Sequence, residues 1–283
     1  MQSKKTYGKN LIAYLYLFNN YDINKYNTNN NTNIDGNNID KNTDKKQFID
    51  DLIQNMQPTT IGYAGFDTKN HLKQHLEYQL FDKEDCKKIP SWKLNDEKFL
   101  FTIERTLAKC KEIIPSQPTN VFVFPSFSSF VKKQTVSGFC PGKNIILVYS
   151  NPNHIRKKEL INTVCHEYNH SLVTEWDTLL DSIVYEGLAE HFREFVVGGK
   201  KAPWSIAVSK NKCKQYLDKL EDKLNFKSYK LYNQVFFGTG DYPYWLGYSL
   251  GYHLVESYLQ NNKKDWKKIM KIKPREIYDC SGF

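Results

Sequence analysis

Val164-Cys165-His166-Glu167-Tyr168-Asn169-His170 carries the pattern H-E-x-x-H in a run free of helix breakers. On an α-helix, residues four apart are rotated by about 40° from each other, so both imidazoles face one point. Zinc takes neutral imidazole nitrogens at about 2.0–2.1 Å, and this spacing offers two of them. Glu167 projects beside the pair. It is poorly placed to ligate the same ion but can reach a water there and take its proton as general base. The flanking Val164, Cys165, Tyr168, Asn169, Ser171 and Leu172 are uncharged, as a buried active-site helix requires. His71 and His75 repeat the spacing without a glutamate after the first, and read as surface residues.

A catalytic zinc site needs a third protein ligand and one open position. The metzincin continuation H-x-x-G-x-x-H is excluded, because Val173 and Trp176 stand where its glycine and histidine belong. Glu186, in Tyr185-Glu186-Gly187-Leu188-Ala189-Glu190, leaves room after His170 for a turn around Trp176-Asp177 and a return helix. Glu190 lies one helical turn further on the same face, where it can accept the outer N–H of a ligand histidine. Asp241 is the rival third ligand. It sits in Gly238-Thr239-Gly240-Asp241-Tyr242-Pro243-Tyr244, which matches much of the aspzincin pattern but has Trp245 in place of the closing glycine. A helix N-cap before Pro243 is the plainer reading of Asp241.

Hydrolysis of an amide also calls for a donor to the developing oxyanion. Tyr244, Tyr248 and Tyr252 form a stripe at helical spacing; if one acts, Tyr248 is the choice and Tyr244 the reserve, although such a stripe equally suits a core. His253 reads as a satisfied core histidine. Gly247 and Gly251 imply that this helix lies close against a neighbour, with the H-E-x-x-H helix as the expected partner. The strand Asn144–Ser150 precedes the zinc helix, and either its edge holds an extended substrate or it is a buried strand.

Outward from the site, the elements order as helices, a small sheet, then helices, which is an α+β chain. Residues 1–45 read as a flexible segment, because the Asn-, Asp-, Thr- and Lys-rich residues 20 to 45 offer too little apolar surface to fold. Residues 46–115 form a helical N-terminal part, 116–262 the catalytic domain, and 263–283 a basic C-terminal helix and tail. The chain has 283 residues, a net charge of +9 and 40% hydrophobic residues, which is ample for a core. Its lysines are dispersed, so nucleic acid is not expected as a partner. No run is long enough to span a membrane. Six cysteines without a C-x-x-C pair favour reduced thiols and the cytoplasm. Leu11 to Phe18 behind Lys4, Lys5 and Lys9 faintly resembles an export signal, which keeps secretion open.

The succession of strand, glycine-containing turn, strand, H-E-Y-N-H, E-G-L-A-E and G-Y-S-L-G-Y resembles the YjaZ-like predicted zinc-dependent proteases, a gluzincin-like group, over about residues 115 to 262. The resemblance implies a mostly helical, zincin-like (thermolysin-like) catalytic core with a small β-sheet before the H-E-x-x-H helix, and peptidase activity, with His166, His170 and Glu186 on one zinc ion per chain and Glu167 as base. The expected substrate is a peptide or protein; oligomeric state is left open. The rival expectations are a zinc hydrolase of a non-peptide substrate and a scaffold protein that keeps the metal without catalysis.

Overall fold

The computed structural model describes residues 2–7, 11–16, 41–56, 68–81, 96–126, 128–151, 154–262 and 265–283. Its elements run β1 (Gln2–Tyr7), β2 (Leu11–Tyr16), α1 (Lys41–Met56), α2 (Thr68–Phe81), α3 (Asp96–Ile113), β3 (Thr119–Pro125), α4 (Ser129–Gln134), β4 (Val136–Gly142) and β5 (Ile145–Ser150). Helices α5 (Lys157–His170), α6 (Leu179–Val197), α7 (Lys210–Asp218), α8 (Tyr229–Phe237), α9 (Leu246–Asn261), α10 (Trp266–Ile269) and α11 (Pro274–Asp279) follow. The chain is mostly helical with one small mixed sheet, an α+β arrangement as expected.

The strands lie in the order β1-β2-β3-β5-β4. β3 pairs in parallel with both β2 and β5, while β1–β2 and β4–β5 are antiparallel hairpins. Two pieces of the segment expected to be flexible, Gln2–Tyr7 and Leu11–Tyr16, are therefore strands of this sheet. Leu-Ile-Ala-Tyr-Leu-Tyr is rich in strand-forming side chains, and β3 supplies the parallel partner that its composition alone does not reveal. Residues 17–40 lie outside the described residues.

β3 and β5 are buried on both faces, which explains their unbroken apolar runs. Val121, Val123, Ile146 and Val148 join the main core with α3, α5, α6 and α9. On the opposite face Phe122, Phe124, Leu147 and Tyr149 pack with Leu52 and Ile53 of α1 and Leu72 and Leu76 of α2. The main core also takes Phe99, Ile103 and Leu107 from α3 and Trp266, Ile269 and Ile277 from the C-terminal helices. Residues that the sequence divides among three segments thus share one core.

Three details of the expected layout change. Of the two readings of β5, edge or buried strand, the structure gives the buried one; the edge belongs to β4, whose Gly138, Pro141 and Gly142 read as turns in the sequence but sit in a bulged strand. Ser205 to Leu224, whose apolar spacing reads as one continuous helix, is broken into a 3₁₀ turn at Pro203–Ile206, α7 and a second short turn at Glu221–Lys223. Asp241 is not an N-cap, since α9 starts only after Trp245.

α6 is set at its start by a capping box. Asp181 N–H donates to Thr178 Oγ1 at 3.1 Å, and Thr178 N–H donates to Asp181 Oδ2 at 2.9 Å. Such a cap contributes about 0.5–2 kcal/mol. α6 then crosses α9 backbone against backbone. A Cβ on Gly187 would lie 2.1 Å from the Gly251 carbonyl oxygen, and one on Gly251 would lie 2.0 Å from that of Ile183. The two glycines do signal close packing, but not on the H-E-x-x-H helix: Gly251 meets α6, and Gly247 meets the Phe236 ring of α8. Among the described residues no helix is long and apolar enough to cross a membrane. Cys110, Cys140, Cys165, Cys213 and Cys280 are free thiols; Cys86 lies outside the described residues.

Candidate metal centre

The last turn of α5 and the middle of α6 face each other across the main core. His166 Nε2 and His170 Nε2 are 2.9 Å apart. Glu186 Oε2 lies 3.3 Å from the first and 3.6 Å from the second. A tetrahedral zinc site with bonds of about 2.0–2.1 Å separates its ligand atoms by roughly 3.3 Å, so the three atoms already stand near ligand spacing. Glu186 Oε2 is buried and accepts no well-formed hydrogen bond, although it faces two imidazole nitrogens. An acceptor left so in a protein interior is costly, and a cation between the three atoms would satisfy it. His166, His170 and Glu186 therefore form a set that could hold a metal ion.

The electrostatics agree with that reading. Burial pushes the Glu186 carboxyl up, but His170 and His166 more than offset this and hold it down at about 2. Burial likewise disfavours charge on His166, yet Glu186 and Glu190 keep its imidazole well above the usual histidine range. The cluster is built to keep positive charge at its centre. Glu190 sits on the outer side of His166, with Oε1 3.0 Å from Nδ1.

Glu167 is buried beside this set. Burial raises its carboxyl above the ordinary value, against the pull of His166 and His170. Its side chain lies flat on the edge strand. A Cβ on Gly138 of β4 would come within 2.4 Å of Glu167 Cγ and 2.7 Å of Oε1. Only glycine leaves space for the carboxylate there, and this role of Gly138 was not legible in the sequence, where the residue reads as a turn.

The tyrosine stripe divides. Tyr248 is half-buried, stands edge-on to Phe236 with ring centroids 5.0 Å apart, and feels both Glu186 and Glu167. Tyr232 of α8, not singled out from sequence, is buried, pairs with Tyr248 and also feels Glu186. The run Ser228 to Gly238 carries an N-cap serine and a closing glycine, which mark the helix but not the direction in which Tyr232 points. Tyr244 is 56% exposed and precedes α9. Tyr252 turns away and donates its hydroxyl to Glu194. His253 Nε2 meets the Val208 carbonyl oxygen at 3.2 Å, in keeping with a core role. Asp241 lines a surface groove of about 510 Å³ with Tyr216, Lys219 and Tyr242, and takes no part in the cluster.

His71 and His75, expected on the surface, are instead packed on the edge strand. His75 stacks on Phe139 with centroids 4.3 Å apart, and His71 stands edge-on to Phe139 and to Tyr229. Their spacing puts both on the apolar side of α2, where β4 covers them.

Comparison with known proteins adds to this geometry. A family model described as "Predicted Zn-dependent protease (DUF2268)" matches residues 100–279. "Uncharacterized protein YjfC" of Bacillus subtilis (strain 168) is 26% identical over 174 residues, which is 53% of this chain and 58% of that protein. "Uncharacterized protein YjaZ" of the same organism is 33% identical over 108 residues, 35% of this chain and 41% of that protein. The chain thus spans about half the length of these relatives. No solved structure matches it. The matched segment contains His166, Glu167, His170 and Glu186 and extends over more than half the chain, so the chain belongs to the predicted Zn-dependent protease family DUF2268.

Proposed function

We propose that this chain is a zinc-dependent peptidase of the gluzincin kind, with a thermolysin-like arrangement of sheet, H-E-x-x-H helix and glutamate-bearing helix. The observation that carries this reading is the meeting of His166 Nε2, His170 Nε2 and Glu186 Oε2 within ligand spacing, with the Glu167 carboxylate beside them. His166, His170 and Glu186 would hold one zinc ion. A bound zinc supplies Lewis acidity and makes a water acidic near neutral pH.

The protein's own groups do the rest. Glu167 takes a proton from the attacking water as its oxygen bonds to the scissile carbonyl carbon. The carbonyl π electrons move to oxygen, and Tyr248 donates a hydrogen bond to the negative charge that develops. When the carbon–nitrogen bond breaks, Glu167 returns the proton to the leaving amine nitrogen. The raised carboxyl of Glu167 suits it to both transfers, because a base poised towards neutrality gives its proton back readily. Tyr232 orients the Tyr248 hydroxyl by pairing with it.

The edge strand supports a peptide substrate. β4 is the last strand of the sheet, and Gly138 on it touches Glu167. An extended peptide added to this edge would carry its carbonyls past the site, with main-chain hydrogen bonds giving affinity. The test is metal content and hydrolysis measured together on wild type, Glu167→Gln, His166→Ala and Glu186→Ala, using zinc-reconstituted protein and a library of quenched fluorescent peptides. We expect one zinc per chain in wild type and Glu167→Gln, cleavage in wild type only, and loss of zinc in the other two variants. Full zinc in Glu186→Ala would remove that residue from the site, and an uncut library would turn the reading to a non-peptide substrate.

A further inference from the structure

Glu190 is buried next to His166, and its carboxylate is held from behind by two residues that no part of the function above uses. Arg193, one turn further along α6 and itself 3% exposed, donates Nε–H at 3.3 Å and Nη2–H at 2.8 Å to Glu190 Oε2. Its other N–H groups reach the Gly198 carbonyl at 3.3 Å, the Lys200 carbonyl at 3.2 Å and Glu194 Oε1 at 3.3 Å. A guanidinium has five N–H donors, and each has an acceptor here. From the other side, Trp204 Nε1–H donates to Glu190 Oε1 at 3.0 Å. That is the oxygen standing 3.0 Å from His166 Nδ1.

This geometry has a direct consequence for His166. A carboxylate with one oxygen gripped by a rigid fork and the other pinned by an indole cannot rotate, so Oε1 stays opposite Nδ1. The contact is close without being aligned as a hydrogen bond, but a fixed negative charge 3.0 Å away favours a proton on Nδ1 electrostatically, and the Nε2 lone pair then faces His170 Nε2 and Glu186 Oε2. Arg193 also balances the Glu190 charge locally, so the inner ligand set keeps Glu186 as its own anion. We propose that Arg193 and Trp204 are positioning residues for the metal centre, acting through Glu190 to fix the tautomer and direction of His166. The proposal rests on the zinc reading above and goes beyond it, because neither residue touches the ion.

A lysine could replace the charge of Arg193 but not its fork. The bland alternative is that Arg193 only ties the chain after α6 to the helix, which would lower stability and leave metal affinity alone. A thermodynamic cycle separates the two. Zinc dissociation constants are measured by chelator competition on folded wild type, Arg193→Lys, Trp204→Phe, Glu190→Gln, and the Arg193→Lys and Trp204→Phe changes placed in the Glu190→Gln background. The visible spectrum of the cobalt-substituted proteins reports ligand geometry alongside.

We expect Arg193→Lys to weaken zinc binding by about 10–100-fold, the range found for groups that orient a ligand histidine. Trp204→Phe should weaken it by a smaller factor. Both effects should largely vanish once Glu190 is Gln, and the cobalt spectrum should shift in the single variants. Unchanged zinc affinity in folded Arg193→Lys and Trp204→Phe would overturn the proposal, and so would equal losses with and without Glu190. If Arg193→Lys does not fold, Trp204→Phe decides by the same criteria. Wild type that binds zinc, with loss in His166→Ala but no change in these variants, would end this inference alone. Wild type that binds no zinc would end the metal reading and this inference with it.

Discussion

Replacing Gly251 by alanine tests how α6 and α9 hold the site together. The added Cβ would stand 2.0 Å from the Ile183 carbonyl oxygen and 3.0 Å from Gly187 N. Both are backbone atoms inside a helix, so no side chain can swing aside. The helices must part by about 1 Å, an overpacking that costs about 1–3 kcal/mol, and the rigid contact puts this site at the upper end. Parting also loosens the seam on either side, because a gap of 0.5–1 Å forfeits about a quarter to a half of each dispersion contact. Against this, alanine is favoured over glycine inside a helix by about 1 kcal/mol. The net is a destabilisation of about 2 kcal/mol, which for a chain of this size lowers the melting temperature by roughly 3–4 °C. Thermal denaturation followed by circular dichroism at 222 nm reads it directly on metal-free protein. A melting temperature at or above that of wild type would mean that helix propensity wins, and would refute the backbone-to-backbone crossing that places Glu186 opposite the histidines.

Other outcomes follow from the same packing. Gly138→Ala should move the Glu167 carboxylate by about 1 Å and lower kcat on the order of 10²-fold while zinc content stays at the wild-type value, since a misplacement of that size is enough to spoil a catalytic geometry; parallel metal analysis and peptide kinetics would check this. Thr178→Ala removes the acceptor of the α6 capping box and should cost about 1 kcal/mol, or roughly 2 °C in melting temperature. Tyr248→Phe should reduce kcat by about 10²–10³-fold with little change in zinc affinity, and an unaffected kcat would pass the oxyanion role to another donor. Removing zinc by chelation should lower stability by about 2.7 kcal/mol relative to protein held at a free zinc level 100 times the dissociation constant, seen as a drop in melting temperature.

How far the site could be read beforehand follows from the range of the contacts involved. His166, Glu167 and His170 sit on one helical turn, so their convergence is a matter of local geometry that spacing alone carries. Glu186 and Glu190 came within reach because one turn and one return helix separate them from the histidines, and apolar neighbours mark that helix as buried. The order of the strands is a different matter. Nothing in Ile145–Ser150 tells that β4 will pair on its outer side and β3 on its inner side, and an apolar run suits an edge badly but not impossibly. Gly138 and Tyr232 were missed for a related reason: each acts through a neighbour distant in sequence, Glu167 in one case and Tyr248 in the other. The opening strands were obscured by the lysines around them, which drew Leu11 to Phe18 towards the reading of an export signal.

The two-faced burial of β3 and β5 bears on how this protein can be cut for laboratory work. The segment shared with the family begins at residue 100, yet the second face of the sheet is sealed by α1 and α2, which precede it. A fragment trimmed to the shared segment would leave Phe122, Phe124, Leu147 and Tyr149 uncovered, and burying a large apolar side chain is worth about 1.5–3 kcal/mol each. Such a fragment would retain every residue of the metal cluster and still come out insoluble. The segment matched by the family model is therefore not the whole folding unit, and expression trials should also keep everything before it, because α1 and α2 cover the sheet and β2 pairs with β3.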